Sequence, residues 1–216
     1  MSRRFVATVL CAIGLAGPAA ALANAAIITG LTTTPGDDFQ RLDTPPQTLG
    51  VDNHQADDTL FAFDERQLVT LDAPLITNLA PPGGQTTLDA GITVSSHYIF
   101  FDPQFARRIA GTITFDLPVV GVITGRVELI LSDHLGAPNT TYASPHLRGL
   151  ESSTDLVAIT DSHEVSVDLQ AASPGDYVRI ITLFDPEPVP EPASLALLLA
   201  ALLLAAQRRP ARRPVP

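Results

Sequence analysis

Between Arg107 and Asp116 the chain alternates with a period of two, and that pattern limits the fold more than any other feature. Ile109, Gly111, Ile113 and Phe115 alternate with Ala110, Thr112, Thr114 and Asp116. Side chains of a strand point to opposite faces in turn, so the pattern predicts a strand buried on one side. Val165, Val167 and Leu169 repeat it against Ser166 and Asp168, and Val178, Ile180, Thr182 and Phe184 form another such set. Val127, Leu129 and Leu131 read the same way. Further apolar runs lie at 26–31, 67–71, 92–94, 98–101, 119–123 and 156–160. Turn signals separate them: Pro81-Pro82-Gly83-Gly84, Gly136-Ala137-Pro138-Asn139, Asp161-Ser162-His163 and Ser173-Pro174-Gly175-Asp176. Nine or ten short strands are expected, in a mainly β fold: an antiparallel β-sandwich of jelly-roll-like kind. The polar stretch 32–58 is expected to be a long loop or edge segment, and the one helical turn is expected near Pro103 to Arg108.

Both ends differ from this middle. Arg3 and Arg4 precede the apolar stretch 5–16, and small residues follow it, as in a signal peptide with a helical apolar core. Ala23-Asn24-Ala25 fits a cleavage site before Ala26, and Ala21-Leu22-Ala23 is a second option. Arg3-Arg4 alone is a weak twin-arginine signal, so export through Sec is expected. The only cysteine, Cys11, lies inside the apolar stretch, which leaves the mature chain without thiols. At the other end Pro188, Pro190 and Pro192 interrupt regular structure. Uncharged residues then run from Ala193 to Ala206, and Arg208, Arg209, Arg212 and Arg213 close the chain. As a helix those fourteen residues rise about 21 Å, short of the roughly 30 Å hydrocarbon core. The arginines would stay on the cytoplasmic side, leaving the acidic domain outside. The organisation expected is a signal peptide at 1–25, a β-sandwich ectodomain at 26–186 and a C-terminal sorting segment at 187–216.

Val189-Pro190-Glu191-Pro192-Ala193, the Leu/Ala stretch and the terminal arginines resemble, in motif, order and spacing, the sorting signal of the PEP-CTERM family. The resemblance implies recognition of Pro190, Glu191 and Pro192 by exosortase, a multi-pass membrane enzyme, with removal of the tail near the motif. It also implies a Gram-negative exopolysaccharide producer. The chain would first be tethered in the inner membrane through its C-terminal segment, then reach the cell surface or extracellular matrix. The stretches 96–103 and 173–180 are similar to other exported proteins of that family, which bring no activity with them.

Chemistry is sparse in the middle of the sequence. Residues 26–190 hold 7 arginines against 22 acids, a net charge of −15, which opposes binding to nucleic acid or anionic lipid. No nucleophile elbow, zinc-protease motif or phosphate loop occurs. The five histidines are scattered, and His97, ahead of an apolar run, is expected to be a hydrogen-bonded structural residue. Tyr98 and Tyr177 are expected to pack in strands. With no tryptophan and only Tyr142 left, a sugar-stacking platform is poorly supplied. Asp52, Asn53, Asp57 and Asp58 form the one acidic constellation able to offer several oxygens to calcium. The expectation is therefore a non-catalytic surface or matrix component associated with exopolysaccharide or other matrix proteins. A calcium-dependent adhesive or carbohydrate-binding module is an alternative, and a secreted matrix hydrolase a further one.

Overall fold

The computed structural model describes residues 26–150 and 153–184. The expected signal helix and hydrophobic C-terminal helix lie outside them. In chain order the strands are β1 (Ile27–Thr32), β2 (Asp38–Arg41), β3 (Thr48–Leu49), β4 (Thr59–Asp64), β5 (Val69–Thr70), β6 (Leu75–Ile76) and β7 (Thr87–Leu88). They continue with β8 (Thr93–Phe101), β9 (Arg107–Phe115), β10 (Val119–Ile123), β11 (Thr141–Tyr142), β12 (Leu156–Asp161), β13 (Glu164–Ala171) and β14 (Asp176–Leu183). One short helix, α1 (Arg126–Leu131), follows β10. The chain is mainly β, with nine of the described strands four residues or longer.

Two sheets carry the domain. The first runs β1-β9-β13-β12 and is antiparallel throughout. The second runs β10-β14-β8-β4-β2, with β5 also on β8, and is antiparallel except where β2 meets β4. In the first sheet the period-two pattern is the observed register. Ile113 faces Val165 and Ile109 faces Leu169 on the buried side, while Thr112–Ser166 and Ala110–Asp168 pair on the other. Gly111 sits where a Cβ would lie 2.6 Å from the Leu31 carbonyl oxygen, so the close approach of β1 requires a glycine there. The inward residues of this sheet meet Leu60, Ala62, Ile99, Phe101, Val178 and Ile180 of the second in one apolar core.

The second sheet is buried on both faces. Its other side carries Phe61, Phe63, Tyr98, Phe100, Tyr177 and Ile181, covered by Leu49, Leu71, Leu129, Leu135 and Ala137 from the connecting segments. Phe61 and Phe100 stack there with centroids 5.0 Å apart. A strand with two dry faces reads as a continuous apolar run, and Leu-Phe-Ala-Phe of β4 is such a run. That strand had no alternation to reveal it.

Two expectations change. Residues 126–131 form a helix, not a strand: Asn78 Oδ1 accepts from the Thr124 and Gly125 N–H groups at 2.8 and 2.7 Å, which turns the chain out of β10. Only Leu129 is then buried, while Val127 and Leu131 are exposed. Residues 103–106 make no helix, and β9 begins at Arg107. The polar stretch 32–58 is loop and edge segment as expected: β2 is the edge strand of the second sheet, parallel to β4, and β3 pairs in parallel with β11.

Candidate functional site

Strand β14 places Arg179 on the covered face of the second sheet, fully buried and facing Glu65. The pair is two-pronged, Nε to Oε2 at 2.7 Å and Nη2 to Oε1 at 2.8 Å. Arg179 Nη1 also donates to Ser132 Oγ at 2.6 Å and the Leu129 carbonyl at 3.1 Å, and Glu65 accepts from Ser96 Oγ and the Tyr142 hydroxyl. A second arginine, Arg148, grips Asp133 at 2.7 and 2.8 Å and leans over the Tyr142 ring. Burial disfavours the Arg179 charge, but Glu65 outweighs it and holds the guanidinium above its ordinary value. Burial raises the Tyr142 and Tyr98 hydroxyls above theirs. With these bonds made, the cluster fastens residues 124–148 to the sheet and has little donor capacity to offer a ligand.

A second polar line lies in the inner core. His97 Nδ1 meets Asp64 Oδ1 at 2.7 Å, and its Nε2 meets Thr182 Oγ1 at 3.1 Å. Carboxylate, imidazole and hydroxyl in this order would be a nucleophilic arrangement if a substrate could reach the hydroxyl. Here His97 and Thr182 are fully buried, and the Phe115 ring lies 4.9 Å from the imidazole. Burial works against the Asp64 charge, yet His97, the Ile27 N–H and Arg41 hold its carboxyl below the usual range. The line ties β1, β2, β4, β8 and β14 together and is structural, as expected for His97.

The expected calcium residues are placed on one loop but spent separately. Asp52 Oδ1 accepts from Ser173 Oγ at 2.6 Å, and Asn53 Nδ2 donates to the Thr48 carbonyl at 2.8 Å. Asp57 Oδ1 accepts from the Gln104 N–H at 2.8 Å, and Asp58 Oδ1 from Thr59 Oγ1 at 3.2 Å. Among the described residues no three His, Cys, Asp or Glu side chains are grouped so as to hold a metal ion. What the loop does instead is wrap the end of β8. The Ala56 N–H donates to the Asp102 carbonyl at 3.0 Å, and the His54 backbone beside the Asp102 carboxylate favours its charged form. Burial and the charge of Asp52 push the Asp102 carboxyl up to about 6. Asp102 is a site residue that sequence reading missed. Its one signal was an acid directly after four apolar residues of a buried strand.

On the outer face of the first sheet the small residues Ala110, Thr112, Ala158 and Ser166 leave a hollow of about 440 Å³, bounded by Leu156 and Asp168. It is shallow and open, with hydroxyls from neighbouring strands on its floor. The sorting residues Pro190, Glu191, Pro192, Arg208, Arg209, Arg212 and Arg213, and the cleavage residues Ala23 and Ala25, lie outside the described residues. No helix among the described residues is long and apolar enough to cross a membrane. Fold and site together define a mainly β domain with antiparallel sheets and polar clusters that hold it closed. Comparison with known proteins gave no match to a family model, to a curated protein or to a solved structure.

Proposed function

We propose that this chain is an exported, exosortase-processed surface or matrix protein without catalytic activity, associated with exopolysaccharide or other matrix proteins. The observation that carries the reading is the succession of sequence features near the C-terminal end: Val189-Pro190-Glu191-Pro192-Ala193, fourteen uncharged residues and an arginine cluster, paired with an N-terminal signal sequence. The sandwich between them fits the role of a passive displayed domain. Glu65 and Arg179 are engaged with one another, as are Asp64 and His97, and its acidic surface favours solubility outside the membrane. The open outer face at Thr112, Ser166 and Asp168 is the surface such a domain would offer to a neutral glycan. A jelly-roll-like topology belongs to the same reading. The β8–β9 crossing between sheets favours it, while the β12–β13 hairpin stays within one sheet.

Deleting residues 191–216 should release the domain into the medium without membrane retention. Mass spectrometry of the surface protein should find neither terminus. An intact Arg-rich tail on exposed protein, or a reporter after Phe184 that sits in the cytoplasm, would defeat the proposal.

A further inference from the structure

Asp102 follows directly on β8, which ends at Phe101, and Pro103 comes next. Asp102 is 2% exposed, its Oδ1 has no hydrogen-bond partner, and its own carbonyl oxygen is held by the Ala56 N–H at 3.0 Å. Pro103 is buried as well, and Gln104, Phe105 and Ala106, which follow it, are exposed. Three features of one peptide bond coincide: a free carboxyl oxygen, a polarised carbonyl, and a proline nitrogen, which is more basic as a leaving group than a secondary amide.

We propose that the Asp102–Pro103 peptide bond is a self-cleavage site. A carboxyl oxygen of Asp102 attacks its own backbone carbonyl carbon, and the carboxyl proton passes to the Pro103 nitrogen. The C–N bond breaks, which leaves a five-membered cyclic anhydride on Asp102 and a free secondary amine at Pro103. One water opens the anhydride and restores the carboxyl, so the net change is hydrolysis with no oxidation or reduction. The Ala56 N–H stands where negative charge develops on the carbonyl oxygen. The groups around the carboxyl are Asp52 and His54 on the wrapping loop, with Asp176 and Tyr177 on β14, where Asp176 pairs in register with the neighbouring Phe101. No arginine is among the groups that shift Asp102, so its neutral form persists to higher pH than in an ordinary aspartate. At pH 5.5 a carboxyl with a value of about 6 is neutral about forty times more often than one at 3.8. Cleavage would not separate the halves under native conditions, because β1–β9 and β8–β14 pair across the cut.

The test incubates the purified full chain in mild detergent at pH 4 to 8, folded and, in parallel, unfolded in guanidinium. Denaturing gels and mass spectrometry then read the termini. We expect new ends at Asp102 and Pro103, at least tenfold faster at pH 5.5 in the folded chain than in the unfolded one, with a pH midpoint near that of the folded carboxyl. Asp102→Asn should abolish this cut, and Asp52→Asn should shift its midpoint to lower pH. The same dipeptide at Asp185–Pro186 reports ordinary acid lability in each sample. A folded rate at Asp102–Pro103 equal to or below the unfolded rate overturns the proposal. So does cleavage that survives Asp102→Asn.

Discussion

Replacing Arg179 by methionine removes the cation from Glu65 while keeping a side chain of similar length in a site with no exposure. The Glu65 carboxylate would keep its bonds from Ser96 and Tyr142 but lose two short charged ones. Stranding one partner of a buried ion pair costs about 3 to 5 kcal/mol. For a domain of this size that is roughly 6 to 20 °C in Tm. Glu65→Leu should cost a similar amount, since the one acid then left in an ion pair with Arg179 is Asp133, at 3.4 Å. The double variant leaves no unpaired charge. Its loss should come mainly from Ser96, Tyr142 and Ser132, at about 1 kcal/mol for each bond unmade. The two single costs should therefore fail to add, with a coupling of roughly 3 kcal/mol or more measured by urea unfolding. If the two effects add to within about 0.5 kcal/mol, the pair is not a coupled unit and the clasp reading is wrong.

Thr182→Val keeps the shape of the inner core but leaves His97 Nε2 buried without its partner, and should cost about 1 to 3 kcal/mol in the same assay. Asp102→Asn should stabilise the protein at pH 7 and have little effect at pH 4. A carboxyl whose folded value is raised favours the folded state most at low pH, and loses that advantage as pH rises from 3.8 through about 6. The rise from 3.8 to about 6 limits the gain to about 3 kcal/mol. A variant equally stable relative to wild type at both pH values would contradict the raised carboxyl.

Alternation marked β9 and β13, which have one wet face, and also β14 of the dry sheet, where Arg179 and Thr182 are buried polar residues. In β9 and β13, water on one side forces polar residues into every second place, so Ile109, Ile113, Val165 and Leu169 announce their sheet. Strands β4 and β8 have no wet face. Their apolar runs carry no period, and a run of four gives no means of telling a strand from a buried helix. The same limit explains α1. Val127, Leu129, Ile130 and Leu131 satisfy a period of two and a helical spacing at once, and what decides the helix is Asn78, 46 residues earlier in sequence than Thr124.

The site followed the same rule. A dry sheet that must also hold a long connecting segment in place needs directional contacts, and only buried polar groups supply them. Glu65 and Asp133 reach Arg179 from positions 114 and 46 residues away, so no spacing in sequence links the three. Asp102 differs at one atom: its carbonyl is held by the Ala56 N–H at 3.0 Å, but Oδ1 has no partner. Glu65 and Arg179 engage their buried charged atoms with one another and with Ser96, Tyr142 and Ser132, whereas this oxygen has no such structural partner. This contrast, more than the shifted carboxyl, is why the peptide bond beside it is the place to look for chemistry.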